Sequence, residues 1–170
     1  PTGSSNDLAR DLGISRDPIM ALEHILQNPH NHSMDMGIVE YKTAMPNNTV
    51  TQTRRFAVSC SIGYDAAICE EVMRSRLKQI LNRIGLGKLV YLLIALKQLI
   101  RARSIDAKLT LHDGTEITIR KLLFLAGMNH RYEGGGFKFS PAADDHDGII
   151  DICCASNATK LKILRVLPTA

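Results

Sequence analysis

The chain has 170 residues, 45% of them hydrophobic and 22% charged, enough for one domain that removes roughly 70% of its unfolded surface from water. Those proportions exclude a disordered tail, a collagenous rod and a bundle of membrane-spanning helices. Aromatic residues are scarce, at 5% with no Trp, so stacking platforms for single-stranded nucleic acid are not expected. The formal charge is +4, from 21 basic and 17 acidic residues.

The chain opens on Pro1-Thr2-Gly3-Ser4-Ser5-Asn6-Asp7, a turn that runs into a helix. Gly3 permits tight backbone geometry, and Ser4, Ser5, Asn6 and Asp7 are all cap residues. It carries no charged segment followed by an apolar one, so no secretory signal is read. An opening inside a turn, and a helix just starting over 159–166, mark the chain as an expected piece of a longer one. Asp17-Pro18 starts a second helix, with Asp as N-cap and Pro at the first helical position. Ile19, Leu22, Ile25 and Leu26 share one face of it, and Asn28-Pro29 ends it. A strand over 33–41, a turn at Met45-Pro46-Asn47-Asn48 and a strand over 49–61 form an antiparallel hairpin. Asp65 is expected to cap a helix running toward Asn82, with Gly85 and Gly87 breaking it before a further helix over 86–103. The longest uncharged stretch of that helix, 89–96, is far below the ~20 residues that span a bilayer. Then come strands over 108–112 and 115–126 joined by Asp113-Gly114, the glycines Gly134, Gly135 and Gly136, a strand over 137–140, an acidic turn and a strand over 149–155. Hairpins with segregated helices and no β-α-β alternation mean an α+β fold with an antiparallel sheet.

The positive charge has a location. No acidic residue stands between Glu71 and Asp106, where Arg74, Arg76, Lys78, Arg83, Lys88, Lys97, Arg101 and Arg103 lie. Without those eight, 13 basic residues face 17 acidic ones. A basic, partly apolar helical pair is drawn to an anionic membrane at about 1 kcal/mol per Lys or Arg near the surface. A solvated helix face whose long stems cover a core accounts for it more simply. Nucleic acid is not expected as a partner, because nothing supplies base readout beyond charge.

Asp144-Asp145-His146-Asp147-Gly148 sets three carboxylates within four positions. They suit a hard cation such as Mg²⁺, with turn carbonyls completing the shell, or simply an exposed turn, since Asp and Gly are turn residues. No second His or Cys stands at zinc-ligand spacing to His146, and His30 and His32 read as loop residues. Asp35, between Met34 and Met36, is an acidic residue in an apolar strand, pointing outward or reaching a metal or a lysine. Neither common nucleotide fingerprint is present. The four cysteines, Cys60, Cys69, Cys153 and Cys154, read as buried small hydrophobes in a reducing compartment.

Taken in order, Gly3-Ser4-Ser5-Asn6-Asp7-Leu8-Ala9-Arg10, Asp35-Met36-Gly37, Ser61-Ile62-Gly63-Tyr64-Asp65-Ala66, Asn129, Gly134-Gly135-Gly136-Phe137, Pro141-Ala142 and Asp147-Gly148 resemble the diacylglycerol kinase family. The likeness is to its soluble bacterial lipid kinases and their sphingosine- and ceramide-kinase relatives. The family has Gly-Thr where this chain has Gly3-Ser4, a change that keeps the hydroxyl.

The resemblance implies an N-terminal nucleotide domain and a C-terminal β-sandwich domain. Residues 1–30 would be the end of the first with linker helices, and 31–170 the second, incomplete at its C-terminus. It implies transfer of the ATP γ-phosphoryl group to a lipid hydroxyl, with ATP contacted at Gly3 and Ser4. It gives Asp7 and Asp35 as an acidic network at the interdomain cleft, and Mg²⁺ on the Asp147 side chain and the Asp144 and Ile149 carbonyls. The family's general base lies in a later Asp-Gly-Glu motif, and Asp113-Gly114-Thr115-Glu116 stands at the wrong place to replace it. The chain alone is therefore expected to be inactive. The implied setting is cytoplasmic, peripheral to a membrane that presents the lipid substrate, with a homodimer as a further option. An NAD kinase-like enzyme with a soluble substrate and a non-catalytic lipid-binding module are the alternatives.

Overall fold

Asp17 initiates the second helix as its type requires: its carboxylate accepts from the Ile19 and Met20 N–H groups at 2.8 and 3.2 Å, and Pro18 opens the helix. The computed structural model describes residues 1, 3, 6–28, 33–46, 48–75, 87–134 and 136–166, with the side chains of 87–91 and 165–166 excepted. Helices α1 (Asp7–Asp11), α2 (Pro18–Gln27), α3 (Tyr64–Arg74), α4 (Gly87–Arg101) and α5 (Lys160–Val166) accompany eight strands. These are β1 (Gly37–Met45), β2 (Asn48–Phe56), β3 (Ser59–Gly63), β4 (Ile105–Thr110), β5 (Glu116–Met128), β6 (Tyr132–Glu133), β7 (Phe137–Lys138) and β8 (Asp151–Ser156). The fold is α+β, with antiparallel sheets and several helices. β1 and β2 form one two-stranded sheet, β6 and β7 another, and the third runs β3-β5-β4 with β8 also on β5. The chain divides into two compact units, 1–60 with 127–153, and 61–126 with 154–170.

In the first unit, the strand expected over 49–61 breaks in two at Ala57 and Val58. The cause is Asn129, fully buried, whose side-chain amide donates to the Ala57 carbonyl at 2.9 Å and whose backbone N–H donates to that of Val58 at 2.8 Å. Those two carbonyls are thereby held away from a sheet ladder. β1 also starts later than expected, at Gly37, so Asp35 lies in the segment before the strand. Gly37 faces Phe56 across the ladder, and a Cβ there would come within 2.1 Å of the ring. The shared face of α2 lies open: Ile19, Leu22, Ile25 and Leu26 are all exposed.

In the second unit, α3 and α4 pack through Tyr64, Leu99 and Leu123, with Val72 and Ile94 beside them. The N-cap of α3 is Gly63, and Asp65 sits in the first turn rather than capping it. There its negative charge faces the positive end of the helix dipole. The helix stops at Arg74, where Ser75 turns extended, rather than running on toward Asn82 as expected; residues 76–86 lie outside the described residues. The β4–β5 hairpin has five connecting residues, not the tight two-residue turn expected of Asp113-Gly114. Thr110 pairs with Glu116, the Asp113 carboxylate accepts from the Thr115 N–H at 2.8 Å, and Gly114 takes φ +81°. The cysteines are not a buried set: Cys69 and Cys154 are exposed and Cys60 and Cys153 half-buried, with no disulfide.

The Tyr64 hydroxyl donates to the Ala95 carbonyl at 2.9 Å, a buried bond between α3 and α4. Burial, with Asp65 beside it, pushes the phenol up to about 12 from an ordinary 10. Above pH 10 the unfolded chain releases this proton while the folded chain keeps it. Stability therefore falls as pH rises from 10 to 12, by up to roughly 1.4 kcal/mol per pH unit. Tyr64→Phe is expected to cost about 1 kcal/mol at pH 7 and to flatten this alkaline loss in urea melts. Equal alkaline slopes in the two proteins would contradict it.

Candidate functional site

The residues that the sequence singles out for chemistry gather in the first unit, around α1 and the acidic turn. Asn6 takes the N-cap place of α1 with φ +55°, but its side chain does not cap the helix. Instead Gly3 N–H donates to Asn6 Oδ1 at 2.8 Å and Asn6 Nδ2 donates to the Gly3 carbonyl at 2.9 Å. That closes the Gly3 turn, while Ser4 and Ser5 lie outside the described residues. A cavity of about 230 Å³ beside it is lined by Asn6, Ala9, Arg10, Gly13 and Arg16 among others.

Asp7 opens α1 with its side chain only 10% exposed, accepting from Arg10 at 3.0 Å. Arg10 in turn lies over the Tyr132 ring, 5.6 Å from its centre. Gly136 gives this guanidinium its room. Gly136 takes φ +102°, and a Cβ on it would meet Arg10 Nη1 at 2.2 Å.

One turn along α1, Asp11 carries the contact that sequence reading missed. Its Oδ2 accepts from the Arg131 N–H at 3.0 Å and from His130 Nδ1 at 2.9 Å. The His130 side chain is 2% exposed and that of Asp11 6%. Hydrogen bonding to a carboxylate puts the proton on Nδ1. His130 Nε2, buried and without a hydrogen bond among the described residues, lies 3.9 Å from Asp145 Oδ2. The one available signal was the spacing of Asp7 and Asp11, four apart on a helix; nothing local points to His130.

Asp35 holds the acidic turn. Its carboxylate accepts from the Gly148 N–H at 2.7 Å, and its own N–H donates to the Asp145 carbonyl at 2.7 Å. Its carbonyl accepts from Asn129 Nδ2 at 2.8 Å. The half-buried side chain therefore meets a backbone donor rather than a lysine. Asp7 rests on Arg10 and Asp35 on Gly148, and what connects their surroundings is the run Asp11, His130, Asp145.

Within the turn, Asp144 Oδ1 accepts from the His146 N–H at 3.0 Å and Asp147 Oδ1 from the Ile149 N–H at 2.8 Å. Ligand atoms of Asp144, Asp145 and His146 lie within 4.8 Å of one another. These grouped side-chain donors stand beside Asp147, one of whose oxygens serves the backbone. Ile149 is exposed.

Of the eight basic residues, Arg76, Lys78 and Arg83 lie outside the described residues, as does the side chain of Lys88. Arg74 pairs with Glu70 at 2.8 Å and Lys97 with Glu71. Lys97, with Gln98, holds the Glu71 carboxyl below its ordinary range. Arg101 and Arg103 are exposed. Among the described residues, no helix is long and apolar enough to cross a membrane.

The family model described as the YegS C-terminal NAD kinase beta sandwich-like domain matches residues 58–170. The chain belongs to the diacylglycerol kinase family. A diacylglycerol kinase of Mycobacterium tuberculosis is 28% identical over 169 residues, covering 99% of this chain and 50% of that protein. The provisionally named lipid kinase YtlR of Bacillus subtilis is 25% identical over 162 residues, covering 95% of this chain and 50% of its own length. The chain thus spans about half the length of these diacylglycerol kinase-family relatives. A provisionally assigned diacylglycerol kinase from Bacillus anthracis strain Sterne has a similar solved structure. Its TM-score is 0.59 at 19% identity, covering 99% of this chain and 48% of that one, and it bears on the fold alone.

Proposed function

We propose that this chain is part of an enzyme that transfers the γ-phosphoryl group of ATP to the hydroxyl of a lipid such as diacylglycerol. Family membership and the relatives' names support the reaction class. The observation that carries the reading is the arrangement in which Asp35 fastens the acidic turn through Gly148 and Asp145, with buried His130 and Asp11 behind it. In-line phosphoryl transfer depends chiefly on positioning and charge, and a rigidly held carboxylate cluster serves both.

Residues 1–30 then belong with a nucleotide domain and 31–170 with the sandwich domain. Gly3 and Ser4 contact ATP beside the Arg10-lined cavity. The clustered donors Asp144, Asp145 and His146 include two carboxylates, which suit a hard divalent cation. Mg²⁺ would be held there, with Asp147 and the Asp144 and Ile149 carbonyls as the further ligands. Bound Mg²⁺ supplies neutralisation of phosphate charge. Asp7 and Asp35 keep that region negative and oriented. The setting is the cytoplasmic face of a membrane, held peripherally by the basic helices.

The wording of the matching family, NAD kinase-like, favours one alternative, a soluble acceptor. Co-sedimentation of the full-length protein with anionic liposomes separates the two. A lipid kinase is expected in the pellet, and retention in the supernatant at low salt would favour the soluble acceptor.

A further inference from the structure

The second unit holds a cavity of about 200 Å³, walled by Gly63, Tyr64 and Ala67 of the β3–α3 junction and by Gln98, Arg101 and Arg103 at the end of α4. Sites for drug-sized ligands run from about 300 Å³ upward, and a water occupies about 30 Å³. The space is too small for a nucleotide or an acyl chain and suits a small polyatomic anion.

No acidic residue lines the cavity, and two arginines, Arg101 and Arg103, do. Arg10, Arg74 and Arg131 each lie near a carboxylate. Among the described residues the Arg101 and Arg103 side chains make no direct hydrogen bond or close ion pair, although Arg101 adds to the positive field on Glu71. Lys160 adds a third cation at this end of α4, its Nζ donating to the Ile100 carbonyl at 2.6 Å. Of the acidic residues on α3, Glu71 is engaged by Lys97 and Gln98, and Asp65 stands in the first turn without lining the cavity. A helix C-terminus attracts cations, which accounts for Arg101 in the last turn of α4 but not for Arg103 beyond it. Two arginines on one cavity suit the oxygens of a phosphate, which the forked guanidinium group binds in bidentate fashion.

The same helices expose apolar side chains. Leu93 and Ile100 are 56% and 76% exposed and, seven apart, share one face of α4. Met73 on α3 is 84% exposed. Cations beside exposed apolar residues are the signature of a surface that lies on a lipid interface. We propose that this cavity takes the phosphate of an anionic phospholipid headgroup, gripped by Arg101 and Arg103. The assignment rests on the reading that the protein works at a membrane, and it adds a headgroup site distinct from the acidic turn.

The test is co-sedimentation of the full-length protein with phosphatidylglycerol vesicles and with phosphatidylcholine vesicles, alongside its melting temperature in inorganic phosphate. Arg101→Ala/Arg103→Ala is expected to weaken partitioning onto phosphatidylglycerol about 30-fold. Arg101→Lys/Arg103→Lys, which keeps the charge and loses the fork, should weaken it about tenfold. Arg54→Ala/Arg55→Ala on β2 removes equal charge from the first unit and should change it less than about threefold. All three should melt with the parent. If the lysine variant binds like the parent, or the β2 variant loses as much as the Arg101/Arg103 pair, diffuse charge is responsible and the site falls while the membrane reading stands. If the parent ignores both vesicles but is stabilised by inorganic phosphate through these arginines, the ligand is free phosphate and the headgroup assignment is overturned with the membrane reading.

Discussion

Asp11→Ala is expected to lower the melting temperature of the chain by about 10 °C. The substitution strips an acceptor from two donors at once, the His130 Nδ1–H and the Arg131 N–H. His130 is 2% exposed, so water cannot replace the lost partner. A buried polar group left without its partner costs ~1–3 kcal/mol, and here two donors lose the same acceptor. At about 3 kcal/mol, and about 2–4 °C per kcal/mol for a domain of this size, the shift is large. Asp11→Asn keeps one carbonyl oxygen for these donors and should lose about half as much. A melting temperature within about 2 °C of the parent for Asp11→Ala would mean that α1 is held by something else.

Asp35 has the largest expected effect on activity. Its backbone bonds to Asp145 and Asn129 survive any substitution, so only the carboxylate bond to Gly148 and the negative charge are at stake. Asp35→Ala in the full-length protein is expected to reduce kcat at least 100-fold, the scale on which removal of one preorganised electrostatic contact acts. Asp35→Asn decides what the group does. It retains an oxygen for the Gly148 N–H and loses the charge. If the charge matters at the phosphoryl site, Asn fares as badly as Ala; restoration by Asn to within about fivefold of the parent would reduce Asp35 to a fastener of the turn.

What the sequence makes legible is mostly local. Asp17-Pro18 starts α2 because cap and first-turn chemistry reside in adjacent residues. Asp113-Gly114 marks the β4–β5 connection for the same reason, although the loop is longer than the dipeptide alone requires. The break between β2 and β3 is hidden, because it is made by Asn129, more than seventy positions away. The Asp11–His130 contact is hidden in the same way, across 119 positions. The eight-residue basic run is visible as composition, yet which of its members keep an unpaired charge depends on packing. Among the described members, Glu70 and Glu71 engage Arg74 and Lys97, Arg101 only adds to the field on Glu71, and Arg103 forms no close ion pair. The acidic turn is legible as a donor-rich segment, while which donors converge is set by the Asx turn at Asp147 and by His146 on Asp145.

The most direct measurement follows the γ-phosphate itself. Full-length protein, Mg²⁺ and γ-labelled ATP are incubated with diacylglycerol in phosphatidylglycerol vesicles and, separately, with NAD, and the products are resolved by extraction into organic solvent. The account expects label in an organic-soluble phospholipid, none in NADP, and loss of that label in Asp35→Ala. Label transferred to NAD, or no ATP-dependent label in any lipid from a folded full-length protein, would contradict it.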